Sequence, residues 1–462
     1  MPVAELSDWP WRHWCRARPG AAALVADGHA YTWATLCDAI DARAAAFRQQ
    51  GVGVGSGVAL CGRNSAELLF AYLAALQLGA RVLPLNPQIP AAQLARMLPE
   101  LDIDWGWSEA AHDWPESVRP LAVAESAAPD SAAAWQPDRP ATLTLTSGSS
   151  GAPKGVVHAA ANHLASAQGL LAAMTFQSYD RWLMSLPLFH VSGQGIVWRW
   201  LLRGAGLAVS AADLAQALAG CSHASLVPTQ LLRLLDSGAQ LPALKQVLLG
   251  GAAIPVELTQ RAERAGIACW CGYGMTEMAS TVTAKRADAA PGVGRTLPLR
   301  ELKIVAGEVW VRGAPLALGY WGDGRIQPLV NAQGWFATRD RGVLEQGELR
   351  ILGRLDNLFI SGGENIQPEA VEAVLAACPG VLQAFVVPVP DAEFGQRPVA
   401  VLDGAIDVAT LQARLDGRIA RYQWPVDYYA LPAGLGCGGI KVSRREVGAW
   451  AAAEFARRRP PR

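Results

Sequence analysis

No stretch of this chain reaches the roughly 18 consecutive apolar residues that a membrane helix needs. Arg, Asp, Gly or Pro interrupts every run, so no transmembrane span is expected. The opening segment MPVAELSDWPWRHWCRARPG is broken by Asp8, Pro10 and Arg12 and lacks the apolar core of a signal peptide, so a cytoplasmic protein is expected. An excess of either charge is also missing. Forty Lys plus Arg balance forty Asp plus Glu, which removes any bulk attraction to nucleic acid or acidic lipid. Charged residues are scarce at 17 % and hydrophobic ones abundant at 51 %, which excludes disorder. The eight cysteines are scattered, and Cys269-Trp-Cys271 is neither a CxxC redox pair nor half of a usual zinc knuckle, so reduced, packed thiols are expected.

What is present is enough chain for about three structural units: 462 residues at roughly 100 to 200 per domain. Residues 31–140 alternate an amphipathic run over Thr35 to Gln50, a strand at Val58 to Cys61, a helix over Ser65 to Gln77 and a strand at Ala80 to Leu85. That rhythm predicts an α/β fold with a parallel sheet and crossover helices. It returns over 181–270, with short buried strands at Trp182 to Leu186, Ala224 to Leu226 and Gln246 to Leu249. Between 103 and 138 it weakens into a polar, Pro- and Ala-rich stretch that reads as a surface connection. From about 300 the texture becomes β-rich, with Glu301 to Val305, Glu308 to Val311 and Gly347 to Leu352 as antiparallel strands. After Gly353-Arg-Leu-Asp356 a small α+β unit begins: a helix over Pro368 to Cys378, a strand over Ala384 to Val389, a helix over Val408 to Ile419 and a helix after Ser443. The expected domains are 1–355, two α/β subdomains with a β-rich unit, and 356–462, small and mobile.

The strongest chemical signal is Thr146-Ser147-Gly148-Ser149-Ser150-Gly151-Ala152-Pro153-Lys154-Gly155, between the alternating strand Ala141 to Leu145 and a helix around Asn162 to Met174. Glycines let backbone N–H groups turn toward an anion, hydroxyls donate further hydrogen bonds, and Lys154 adds a point charge, as polyphosphate binding requires. A Walker A loop would place Ser or Thr after the lysine; here Gly155 follows, so this is a different phosphate loop.

Four further segments occur in order: Gly272-Tyr273-Gly274-Met275-Thr276-Glu277, Thr338-Arg339-Asp340, Gly353 to Asp356 with Gly362 to Glu369, and Gly439-Ile440-Lys441-Val442-Ser443-Arg444. Together with the loop they resemble the ordered motifs of the adenylate-forming superfamily, which comprises acyl- and aryl-CoA ligases, adenylation domains and luciferases, and the resemblance spans essentially the whole chain. Ser185 to Trp200, Ala224 to Gln230 and Leu248 to Glu257 are similar to the short bacterial o-succinylbenzoate-CoA ligases of menaquinone biosynthesis. Two segments depart from the superfamily pattern: Arg339 stands where Gly is usual, and Ser149-Ser150 where Thr is commoner.

The resemblance implies ATP, Mg²⁺ and coenzyme A, an aromatic dicarboxylate as the acid, and reaction through an acyl-AMP. No nucleic-acid partner is implied, and a homo-oligomer stays open. A carboxylate attacks the α-phosphorus, pyrophosphate leaves and a thiol then takes the acyl group, so the enzyme's task is positioning and charge neutralisation. Glu277 on a Gly-rich turn suits Mg²⁺ beside phosphates. Thr146 to Gly151, Lys154, Gly272, Tyr273, Gly274 and Thr276 are expected around ATP, and Asp340 and Arg354 at the ribose hydroxyls. Lys441, in a Gly-rich loop, could bridge the substrate carboxylate and the α-phosphate as charge develops. Asp356 resembles the hinge about which the small domain turns, with Gly362 and Gly363 giving freedom. For the acid, Ser192 and Arg199 are seven residues apart on a helix start and share a face. His190 precedes them as a pocket wall, Gly193 and Gly195 leave room for a ligand, Trp198 and Trp200 flank the arginine, and Ser225 and Thr281 are further polar candidates. Other readings are another acid-CoA ligase, a stand-alone adenylation enzyme serving a carrier protein, or a non-catalytic nucleotide sensor. Only 21 residues follow Lys441, too few for a tethered carrier domain.

Overall fold

The alternating helix and strand patterns build two parallel-cored sheets. The computed structural model describes residues 6–123, 132–146, 154–251, 254–290, 292–391, 393–404, 407–435 and 442–458. It divides into two compact units, Met1–Gly250 with Val256–Leu302 and Val311–Phe336, and Gly251–Pro255 with Lys303–Trp310 and Ala337–Arg462.

In the first unit an eight-stranded sheet runs in the order Arg325–Gln327, Gly319–Gly322, Lys154–Ala159, Pro140–Thr146, Arg81–Leu85, Gly57–Cys61, Trp105–Ser108, Arg119–Pro120. Its last five strands are parallel and its first four antiparallel to their neighbours. A nine-stranded sheet has a parallel centre, Ala22–Ala26, Gly206–Val209, Arg181–Leu183, His223–Leu226, Gln246–Leu249 and Ala268–Met275. Antiparallel strands close both of its edges. The helices start where side chains satisfy their first N–H groups. Thr32 and Thr35 form a reciprocal capping box for Trp33–Gln49, and the Ser65 hydroxyl accepts from Leu68 N at 3.0 Å to open Ala66–Gln77. Every residue of Ala66–Gln77 from Leu68 onward is buried. At roughly 1.5 to 3 kcal/mol for each large apolar side chain removed from water, that helix anchors the sheet it covers.

One expectation is corrected here. The stretch from 103 to 123 is no mere surface connection, because Trp105–Ser108 and Arg119–Pro120 extend the parallel sheet and Trp105 and Trp107 are buried. Four- and two-residue strands are too short to show a period, and the Arg119 guanidinium lying 3.8 Å over the Trp105 ring makes a buried surface look polar in sequence.

The second unit holds most of a four-stranded sheet ordered Arg300–Val305, Glu308–Gly313, Phe336–Glu345, Glu348–Arg354. It also holds a three-stranded sheet, Val381–Asp391, Gly395–Gly404 and Tyr428–Ala430. The alternation along Val381–Asp391 sends Ala384 and Val386 to helices Pro368–Ala376 and Val408–Leu415, and Phe385, Val387 and Val389 to the terminal helix Arg444–Arg458. Arg444 fixes that last helix by donating to Glu372 Oε2 at 2.6 Å and to the Val386 carbonyl at 2.9 Å.

Candidate active site

The strand Pro140–Thr146 leads into the phosphate loop and Lys154–Ala159 leads out, with Thr146 and Lys154 paired across the mouth. Ser147 to Pro153 lie outside the described residues. Lys154 therefore opens a strand, and its ammonium stands 5.1 Å over the ring of Tyr320. Tyr320, on the neighbouring strand Gly319–Gly322, donates its hydroxyl to Glu277 Oε1 at 2.9 Å. Lys154, Tyr320 and Glu277 thus form one cluster at the end of the phosphate loop. Nothing in the sequence marks Tyr320, a single tyrosine in a four-residue strand, and only the strand pairing reveals it.

Glu277 sits in the single 3₁₀ turn Thr276–Met278 that ends strand Ala268–Met275. That strand needs its glycines. A Cβ on Gly272 would overlap the Thr283 carbonyl and one on Gly274 the Ser280 carbonyl, both across the antiparallel pairing with Ser280–Arg286. The backbone can therefore run close beside its partner while Tyr273 and Thr276 stay half-buried. Among the described residues no three His, Cys, Asp or Glu side chains are grouped to hold a metal. Glu277 gives one oxygen to Tyr320, and among the described residues its other oxygen has no protein hydrogen bond. A magnesium ion fits there as one bound by a single carboxylate plus phosphate oxygens.

The helix Val191–Arg203, with His190 at its N-cap, carries Arg199 inward, where it is 2 % exposed. Its Nη2 donates to Ser280 Oγ at 3.2 Å and Thr281 Oγ1 at 3.4 Å, and the guanidinium lies 5.3 Å from the Trp182 ring. Among the described residues it has no carboxylate partner, and its Nε has no hydrogen bond. Burial, with nearby Arg300 adding repulsion, brings its pKa down to about 9. Arg300 is itself buried, its guanidinium bound by the carbonyls of Thr281, Ala165, Ser166 and Pro298. Ser225 is buried on strand His223–Leu226, and its hydroxyl has no protein partner among the described residues.

Among the expected residues, Thr281 bonds Arg199, and Ser192 is half-buried on the same helix. Two details around Arg199 differ from expectation. Gly193 does not make room for a ligand: a Cβ there would overlap the Pro187 carbonyl, and at Gly195 it would press on Arg199 Nη2 at 3.1 Å. Trp198 and Trp200 do not flank the arginine, because adjacent helical residues point in different directions. Trp198 stacks on His163 at 5.1 Å and Trp200 on Trp33 at 5.3 Å, while Trp182, distant in sequence, takes the place beside Arg199. The sequence does not mark Ser280, Arg300 and Trp182 as neighbours of Arg199.

In the second unit Asp340 and Arg354 are register partners, with Arg354 Nη1 3.7 Å from the mostly buried Asp340 Oδ1. The Thr338 hydroxyl accepts from Asp340 N at 3.1 Å and donates to the Val309 carbonyl at 2.8 Å, fixing the acid's backbone. Arg339, where glycine is usual, adopts φ +65°, the left-handed conformation that favours glycine. Its guanidinium bonds Asp356 Oδ1 at 2.7 and 3.2 Å, and Arg354 reaches Asp356 Oδ2 at 3.3 Å. Burial pushes the Asp356 pKa up, but the two arginines outweigh it and hold the carboxyl below its ordinary value. Lys441 lies outside the described residues.

The AMP-binding enzyme model matches residues 11–321, and the AMP-binding enzyme C-terminal domain model matches residues 370–435. A 2-succinylbenzoate–CoA ligase of Salmonella typhimurium is 53 % identical over 447 residues, covering 96 % of this chain and 98 % of the relative. The ligase of Escherichia coli is 52 % identical over the same shares. Among solved structures, a substituted Escherichia coli MenE with bound OSB-AMS superposes at TM-score 0.93 with 51 % identity, over 97 % of this chain and 99 % of that one. Bacillus subtilis MenE in complex with ATP and magnesium ion superposes at 0.83 with 27 % identity, over 92 % and 95 %. On this length and degree of likeness the chain belongs to the AMP-binding enzyme family, the family that includes the 2-succinylbenzoate–CoA ligases.

Proposed function

We infer that this chain is an ATP-dependent 2-succinylbenzoate–CoA ligase, an AMP-forming acid–thiol ligase of menaquinone biosynthesis. The observation that carries the choice of acid is Arg199: a fully buried guanidinium bonded only by hydroxyls beside a tryptophan ring. A buried cation without an acidic partner is costly unless a ligand brings the opposite charge. A dicarboxylate does so with the carboxylate that does not react. The names of the relatives point to the same acid.

In the first half-reaction a carboxylate oxygen of the acid forms a bond to the α-phosphorus of ATP while the α–β bridging bond breaks, and pyrophosphate leaves with the electron pair. Lys154 and the loop Thr146 to Gly151 hold the phosphates, with Tyr273, Gly272, Gly274 and Thr276 beside the nucleotide. Asp340 and Arg354 take the ribose hydroxyls, an acceptor and a donor suited to a diol. Glu277, oriented by Tyr320, would hold Mg²⁺, which neutralises phosphate charge when bound. Lys441 neutralises the charge shared between the attacking carboxylate and the α-phosphate. In the second half-reaction the coenzyme A sulfur bonds to the acyl carbon, the carbon–oxygen bond to AMP breaks and AMP departs, the thiol proton passing to solvent. The proposed domains are 1–355 for adenylation and 356–462 as a mobile small domain, with Asp356 as the hinge. His190, Ser192, Ser225 and Thr281 complete the proposed acid pocket around Arg199.

The test is AMP release by the purified chain with a panel of acids. 2-Succinylbenzoate should exceed by at least tenfold in kcat/KM an analogue whose ring carboxylate is replaced by hydrogen, the span expected for one charged hydrogen bond. Equal turnover of both acids, or none of 2-succinylbenzoate, would move the function to another acid–CoA ligase.

A further inference from the structure

Two consecutive non-glycine residues, Ala279 at φ +49° and Ser280 at φ +109°, adopt backbone conformations that L side chains rarely take. Ala279 caps the turn that carries Glu277, and Ser280 opens the strand that carries Thr281. Their neighbours leave little alternative. Gly274 lies so close that a Cβ on it would overlap the Ser280 carbonyl, and Arg300 grips the Thr281 carbonyl. Arg300 is in turn seated against Gly169, where a side chain would collide with its guanidinium. Strained backbone held by two neighbours at one point calls for a use of the side chain it aims.

That side chain is a hydroxyl 3.2 Å from Arg199 Nη2, with Thr281 Oγ1 3.4 Å from both. Guanidinium only donates, so a buried arginine lacking an acidic partner has its plane fixed only by neutral acceptors around it. Ser280 and Thr281 are those acceptors. Thr281 presents its hydroxyl from an ordinary strand, whereas Ser280 does so only because of its left-handed backbone. On the far side Gly195 lets the helix approach, since a Cβ there would lie 3.2 Å from Ser280 Oγ.

We propose that Ser280 is a positioning residue for acid recognition, acting through Arg199: the strained backbone aims its hydroxyl so that the guanidinium faces the non-reacting carboxylate of the acid. This rests on the role given to Arg199 above. Ser280 takes no part in adenylation chemistry, so its loss should appear in KM for the dicarboxylate and not in kcat.

Replacement by glycine separates the two sides of the inference, because Ser280→Gly removes the hydroxyl and relieves the strain together. The expected result is a KM for 2-succinylbenzoate raised about tenfold, kcat within about twofold, and an unchanged or higher melting temperature. An analogue lacking the ring carboxylate should be used as well as by the wild type. In an Arg199→Gln background the same change should add little, since its effect is routed through the arginine. Ser280→Ala repeats the kinetic comparison with a Cβ retained, in case glycine loosens the segment. If Ser280→Gly and Ser280→Ala leave KM unchanged while Arg199→Gln is selectively impaired, Ser280 has no positioning role and the reading of Arg199 survives. Equal loss on both acids, or an undiminished effect in the Arg199→Gln background, also overturns the proposal. If Arg199→Gln itself loses both acids alike, the recognition reading falls and the proposal with it.

Discussion

Tyr320 offers a direct probe of the cluster at the phosphate loop, because its ring and its hydroxyl serve different partners. Tyr320→Phe deletes the 2.9 Å hydrogen bond to Glu277 while keeping the ring beneath Lys154. A hydrogen bond to a charged group contributes about 1.5 to 3 kcal/mol. Glu277 is only half-buried, so the lower end applies, about a tenfold change. The carboxylate then turns more freely, and the Mg²⁺ concentration giving half-maximal ATP–pyrophosphate exchange should rise by about that factor. Tyr320→Leu removes the ring as well. An exposed cation–π contact contributes about 0.5 to 1 kcal/mol, so a further two- to fivefold loss in apparent ATP affinity is expected from Lys154. Thioester formation from supplied acyl-AMP bypasses both contacts and should stay near wild type. If Tyr320→Phe keeps its Mg²⁺ dependence within twofold, or if phenylalanine and leucine behave alike, the coupling of Lys154, Tyr320 and Glu277 has no functional weight.

Lys441→Ala should abolish pyrophosphate exchange, by a hundredfold or more on the order of 3 kcal/mol for a lost charged contact, yet spare thioester formation from acyl-AMP; exchange within a few-fold of wild type would contradict its role. Asp356→Pro fixes φ at the proposed hinge and should slow coenzyme A transfer selectively. Arg339→Gly, which suits φ +65° and removes one Asp356 partner, should leave adenylation intact, and equal loss of both half-reactions in the proline variant would defeat the hinge assignment. Stability should also fall in acid. Burial lowers the His158 pKa from 6.5 to about 4 and depresses His163 as well. Below pH 6.5 the unfolded chain binds protons that the folded one does not, so this stability is complete above about 6.5 and drains away toward about 4. For His158 alone the full loss is roughly 3 kcal/mol. A melting temperature that is flat between pH 7 and 5 would contradict this, and His158→Phe should flatten the wild-type slope.

The motifs are readable in sequence where they depend on residue type and local spacing. The Gly/Ser/Thr-rich run before Lys154, Glu277 on its glycine turn and the Arg199 helix all announce themselves in this way. What stayed hidden depends on contacts between segments far apart in the chain. Tyr320 meets Glu277 across 43 positions, and Ser280 meets Arg199 across 81. The glycine signals misled for the same reason. Gly193 and Gly195 mark close approaches, which sequence cannot assign to a ligand or to a neighbouring backbone, and here the protein itself fills them. Secondary structure followed the same rule, since the long helix Trp33–Gln49 showed its period and the short strand Trp105–Ser108 did not.

The guanidinium at the centre of the proposed acid pocket also bears on how the protein keeps its fold. A cation buried beside a second arginine and bonded by neutral hydroxyls works against the folded state until a counter-charge arrives. A bound dicarboxylate should therefore act as a folding ligand, raising the melting point with its concentration as mass action requires. Replacing Arg199 with an apolar residue of similar length would produce a more robust protein with poorer recognition. In that sense the site is maintained against the grain of stability, and screens that reward thermal tolerance alone should select this arginine away.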